Sequence, residues 1–245
     1  MHHILQSCAL RASACLTLTS ALLACGNGGA PDADAYDSAF EDVGACLAKA
    51  AASPCDTLTE PMVRAALPGA ATTQLDRSQT KGSSGFDCHY SWTSGRKTTI
   101  GQGQFQMEVD ATDTVTLSNV RSLADTRNPL ASFRGMHRTP DAAQKANAIK
   151  RSDAAIDEKV DDGSLEQRHE QMGKDFARSL INRIEWEPVD GLGDGAAWGG
   201  IGRFKTLDVL VGTTQFSVLA DVASDEAPRR DASIAVARAL LAACD

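Results

Sequence analysis

Aromatic side chains make up only 5% of these 245 residues, too few for the stacked platforms on which single-stranded nucleic acids lie. Positive charge is also short, with 24 Lys and Arg against 32 Asp and Glu and a net charge of -8. That balance excludes sequence-independent nucleic-acid binding, which needs a basic surface. No Cys-x-x-Cys pair is present, and no cysteine has a histidine at zinc-ligand spacing. The apolar run Ala12–Ala24 covers roughly 20 Å of helix, short of a hydrocarbon core of about 30 Å. Wholesale disorder is excluded as well, because 42% of the residues are hydrophobic and 23% charged.

What the chain does have is seven cysteines, and their positions carry information. Residues 1–24 place Arg11 before the run Ala12–Ala24, the order of a secretory signal peptide with its basic and apolar parts. Leu22-Leu23-Ala24-Cys25 resembles the bacterial lipobox. That resemblance implies diacylglycerol on the Cys25 thiol, cleavage after Ala24, and a membrane anchor through the acyl chains. Gly26 stands where aspartate commonly retains lipoproteins in an inner membrane, so an outer membrane facing the periplasm is expected for a Gram-negative host. Loss of residues 1–24 removes Arg11, Cys8 and Cys15 and takes the net charge from -8 to -9. Residues 25–37, glycine-rich and then acidic, read as the lipidated cysteine with a tether.

Four cysteines remain, Cys46, Cys55, Cys88 and Cys244. An even number in an exported chain reads as two disulfides. Cys55–Cys88 with Cys46–Cys244 fits the element order, and a local Cys46–Cys55 pair stays open as the alternative.

Residues 38–245 read as a single α+β domain with an added charged helical segment around 141–184. Phe40, Val43 and Leu47 mark a first helix, and Thr59-Glu60-Pro61 opens a second that stops at Pro68. Residues 72–85 have loop composition. Phe86–Trp92 alternates apolar with polar, a half-buried strand. Strands are expected at 104–110, with Phe105, Met107 and Val109 on one face, and at 114–120, with a turn at Asp110–Asp113 between them. Residues 124–140 read as irregular. Asp141–Val160 is a solvated helix, and Ser164 caps another carrying Leu165, Met172, Phe176, Leu180 and Ile184. A hairpin at 204–222 and a final helix capped by Asp231 complete the chain. The order predicts an antiparallel sheet flanked by helices.

Several short motifs mimic catalytic ones. Gly191-Leu-Gly193-Asp-Gly195-Ala196 matches the dinucleotide fingerprint, but Trp198-Gly199-Gly200 follows where the phosphate-binding helix is needed. A tight turn is expected there instead. Ser78-Gln-Thr-Lys81 matches S-x-x-K without the companion motifs of β-lactamases. His169-Glu170 is half of H-E-x-x-H, and Gly173 occupies the second ligand position. No catalytic residue, cofactor or metal ligand is therefore assigned. Trp92, Trp186 and Trp198 lie near strand ends and could line a groove, although core packing is the ordinary role of such side chains.

Together, Cys25 in its lipobox, Pro54-Cys55, Cys88-x-Tyr90-x-Trp92 and Gly191-Leu192-Gly193-Asp194-x-Ala196 resemble the uncharacterised bacterial lipoprotein families known as DUF3558 and LpqN-like. The resemblance covers roughly 46–120 and 185–245 and implies a Mog1/PsbP-like fold used for binding. The function expected is a lipid-anchored envelope lipoprotein, non-catalytic, that binds a partner protein, envelope polymer or lipid. A periplasmic hydrolase without a recognisable motif is the alternative.

Overall fold

The computed structural model describes residues 39–82, 85–100, 105–202 and 204–245. Cys25, the signal segment and the tether fall outside the described residues. The chain divides into two compact units, Arg138–Glu185 and the described part of Asp34–His137 with Trp186–Asp245. No helix among the described residues is long and apolar enough to cross a membrane.

The larger unit is built on an antiparallel sheet. Its strands are β1 (Asp76–Gly82), β2 (Gly85–Ile100), β3 (Met107–Ser122), β4 (Ile184–Pro188), β5 (Gly195–Ile201), β6 (Phe204–Val211) and β7 (Thr214–Asp221). Their spatial order is β1-β2-β3-β7-β6-β5-β4. The fold is therefore α+β. Register follows the two-residue alternation: Cys88, Tyr90 and Trp92 sit opposite Leu117, Val115 and Asp113. Val218 pairs with Leu207, and Leu207 with Trp198, so one face accumulates the core.

Helices α1 (Glu41–Ala48), α2 (Pro54–Thr57), α3 (Glu60–Ala66) and α7 (Glu226–Ala242) contribute Val43, Leu47, Val63, Val236 and Leu240 to that core. Ser233 fastens α7 to the sheet, accepting from the Ala220 amide at 3.0 Å and donating to the Arg229 carbonyl at 2.9 Å. Disulfides join Cys46 to Cys244 and Cys55 to Cys88, with Cα atoms 5.7 and 4.9 Å apart. A local Cys46–Cys55 bridge is thereby ruled out.

Five sequence expectations are corrected. Residues 76–82 form an edge strand rather than a loop, because their backbone pairs with β2 although nearly every side chain faces water. Asp110–Asp113 is no turn but the middle of β3: Lys97 holds Asp110 at 2.5 Å, and Arg96 binds Asp113. Phe105 and Met107 are exposed rather than on a buried face. The stretch 124–140 contains a helix, α4 (Pro129–Met136), opened by Asn128, whose side chain accepts from the Ala131 amide at 2.9 Å, with Pro129 in the first turn. The last helix starts five residues before Asp231, with Asp225 at its cap.

The smaller unit pairs α5 (Ala142–Asp161) with α6 (Glu170–Asn182). Asp141 and Gln144 exchange capping hydrogen bonds of 2.8 and 3.0 Å at the start of α5. Ser164 does not cap α6; its amide donates to Asp162, and a short 3-10 turn at Gln167–His169 intervenes. Charge holds the pair together. Lys174 lies 2.5 Å from Asp157 and 2.7 Å from Glu170. Those hydrogen bonds, Asp157 first, push the Lys174 ammonium up to about 12. Arg178 reaches Asp153 at 2.7 Å. At Gly173 an added Cβ would rest 3.7 Å from Ile156, so the position that lacks a zinc-binding histidine is a helix-packing contact. Met172 and Phe176, expected on a packed face, are 64% and 56% exposed.

Candidate functional site

In the larger unit, α4 lies across the sheet face opposite the main core, where Phe133 packs with Ala197 and Leu210 beside Trp186. The helix ends at His137. The imidazole stacks on Phe133 with centroids 4.1 Å apart and meets Trp186 edge-on at 4.6 Å. Nδ1 of His137 lies 2.8 Å from the Phe133 carbonyl, and Nε2 lies 2.6 Å from Asp208 Oδ2 on β6. Thr206 donates to the other oxygen of Asp208 at 3.3 Å. Both side chains are nearly buried.

A cavity of about 200 Å³ opens beside this pair, lined by Phe133, Arg134, His137, Val189, Leu192 and the backbone of the 190–197 turn. The glycines of that turn do a backbone job. Gly193 has φ +55, and a Cβ there would lie 2.4 Å from the Leu210 carbonyl oxygen. The Asp194 side chain accepts from the Gly212 amide at 2.7 Å, tying the turn to the β6–β7 corner. The chain then enters β5 directly, with no helix on which a pyrophosphate could sit. The dinucleotide match is a hairpin corner.

The chemistry open to this cavity follows from what each group already does. A general base or metal ligand needs a ring nitrogen free to face the reacting atom. Both nitrogens of His137 face protein acceptors, so the ring serves as a cross-link between α4 and β6. His89 is occupied in the same way, with Nε2 at 2.9 Å from Thr80 Oγ1 and Nδ1 at 2.9 Å from Thr116 Oγ1. His169 lies 3.9 Å from Glu166. Among the described residues no three His, Cys, Asp or Glu side chains are grouped to hold a metal ion. What remains at the cavity is a mixed wall, the apolar Phe133, Val189 and Leu192 beside Asp190, Asp194 and the exposed Arg134.

The three tryptophans separate. Trp92 and Trp198 are core residues, 2% and 1% exposed, because the strand register points both toward the helices. The groove reading fails for these two. The Trp198 indole donates to Glu226 at 2.9 Å. Trp186 is half-buried and stands against His137 beside the cavity. Ser78 and Lys81 fall three apart on strand β1 and so point to opposite faces, which dissolves the S-x-x-K match.

Sequence reasoning missed Phe133 and Asp208. The signals were present: Asn128-Pro129 is a helix start, and Asp208 is a lone carboxylate within the otherwise buried run Leu207–Val211.

Fold and site together define an α+β domain with a seven-stranded antiparallel sheet, a disulfide-stapled core and a small cavity. No family model, curated protein or solved structure matches the chain.

Proposed function

We propose that this protein is a bacterial envelope lipoprotein, anchored by acyl chains on Cys25, whose disulfide-bonded domain binds a partner protein, envelope polymer or lipid without catalysing a reaction. The observation that carries it is Leu22-Leu23-Ala24-Cys25 at the end of a signal-like apolar run. Two disulfides support an oxidising compartment, since such bridges persist outside the cytosol. The cross-linking roles of His89 and His137 support binding over hydrolysis. The sequence resemblance to the DUF3558 and LpqN-like lipoproteins belongs to the same proposal.

The test is chemical and spatial. Mass spectrometry of the purified chain is expected to show diacylglycerol on an N-terminal Cys25, and Cys25→Ser is expected to leave the membrane fraction. A membrane-bound Cys25→Ser chain, or an unmodified Cys25, would overturn the anchor.

A further inference from the structure

The β2–β3 pair outgrows the sheet. The β1 ladder on β2 stops at Ser91 and the β7 ladder on β3 stops at Thr114. Beyond them, among the described residues, the two strands pair only with each other, from Thr93–Thr112 to Ile100–Met107. At about 3.3 Å per residue this is a two-stranded arm roughly 20 Å long. Its end carries Ile100, Phe105 and Met107, which are 47%, 79% and 59% exposed. Behind them Lys97 pairs with Asp110 and Arg96 with Asp113, and Glu108 is exposed, so the described arm carries no unpaired basic collar.

We propose that this arm is a second membrane contact, its three apolar side chains entering the bilayer that holds the lipid on Cys25. The inference rests on the anchor reading. Residues 26–38 separate Cys25 from the described chain, and at full extension they span at most about 45 Å. Helix α1 begins against the β6–β7 corner, where a Cβ on Gly212 would lie 3.3 Å from Glu41 Cα. That corner is at the Ser122 end of β3, since Ser122 pairs with Thr214. The apolar tip is at the Met107 end, roughly 50 Å away along the strand. With β3 along the bilayer surface, anchor and tip meet the same membrane.

A lipid surface suits the tip better than a protein does. Three side chains offer far less than the ~1,200 Å² of a stable specific interface. A bilayer demands no matching surface, and the acyl anchor raises the local concentration so that a weak insertion suffices. Without a basic collar the contact is apolar, and it is expected to be insensitive to salt.

The test uses the lipidated full chain in phosphatidylethanolamine/phosphatidylglycerol vesicles, with an environment-sensitive fluorophore on Thr99→Cys. The expected result is a blue-shifted emission that spin-labelled lipid quenches, unchanged on raising salt to about 0.5 M. The signal is lost when Phe105→Ser and Met107→Ser are added. A water-like, unquenched label on a chain that still floats with the vesicles overturns the arm and leaves the anchor standing. If Cys25 proves unmodified, the same measurement is made with excess vesicles. Quenching there keeps the arm and removes only the anchor; no quenching overturns both.

Discussion

His137 and Asp208 lie 71 residues apart in sequence and 2.6 Å apart in space, with the imidazole bridging α4 to β6. The bridge is nearly buried, so each partner depends on the other. Removal of one member of a buried hydrogen-bonded pair strands the other without its partner, at a cost of about 1–3 kcal/mol. His137→Ala is therefore expected to lower the urea midpoint strongly. A midpoint unchanged from wild type would show that the pair does not hold α4.

The two disulfides close loops of very different length, with sequence separations of 198 and 33. Chain entropy of the unfolded state assigns about 5 kcal/mol to Cys46–Cys244 and about 4 to Cys55–Cys88 as upper figures. The double serine variant of the first pair is expected to unfold at lower denaturant than that of the second. Equilibrium unfolding under matched conditions checks the order.

Gly193 cannot accept a side chain, because φ is +55 and the Leu210 carbonyl occupies the space. Gly193→Ala is expected to cost at least about 2 kcal/mol. Gly69, where a Cβ would meet nothing within 4 Å, is the control and should tolerate alanine. Paired thermal melts of the two variants decide it.

Glu226 receives the Lys205 ammonium at 2.7 Å and the Trp198 indole at 2.9 Å. Those hydrogen bonds, Lys205 first, hold its carboxyl below the ordinary value of 4.5. A lowered native value means stabilisation that is complete above the unfolded value and is lost as pH falls through the native one. Glu226→Gln is expected to be less stable than wild type near neutrality, the gap closing as pH drops below 4.5. Denaturation midpoints across that range test the sign.

Legibility followed how local the cause was. Val115 and Leu117 announced a buried strand face by alternation, and both are fully buried. The solvated helix expected at Asp141–Val160 is found at Ala142–Asp161, opened by the local exchange between Asp141 and Gln144. By contrast β1 has no apolar pattern, because its strand character comes from pairing with β2 and its side chains face water. Asp110 and Asp113 resembled a turn until cross-strand cations explained them: Lys97 and Arg96 come from the neighbouring strand. Trp92 and Trp198 could have faced a groove or the core, and only register decides between the two.

By itself the sequence determined the α+β order of elements, the four cysteines available for bridging, and the lipobox-like Leu22-Leu23-Ala24-Cys25 on which the anchor proposal stands. All of these depend on residues close together in the chain. Tertiary structure alone decided that Cys46 meets Cys244, that His137 is spent on Asp208, and that β2 and β3 continue past their neighbours to expose Ile100, Phe105 and Met107. Each of these is a contact, or the ending of a contact, between distant segments. Local propensity carries no information about which distant segments meet, because that choice is made by packing and register across the sheet.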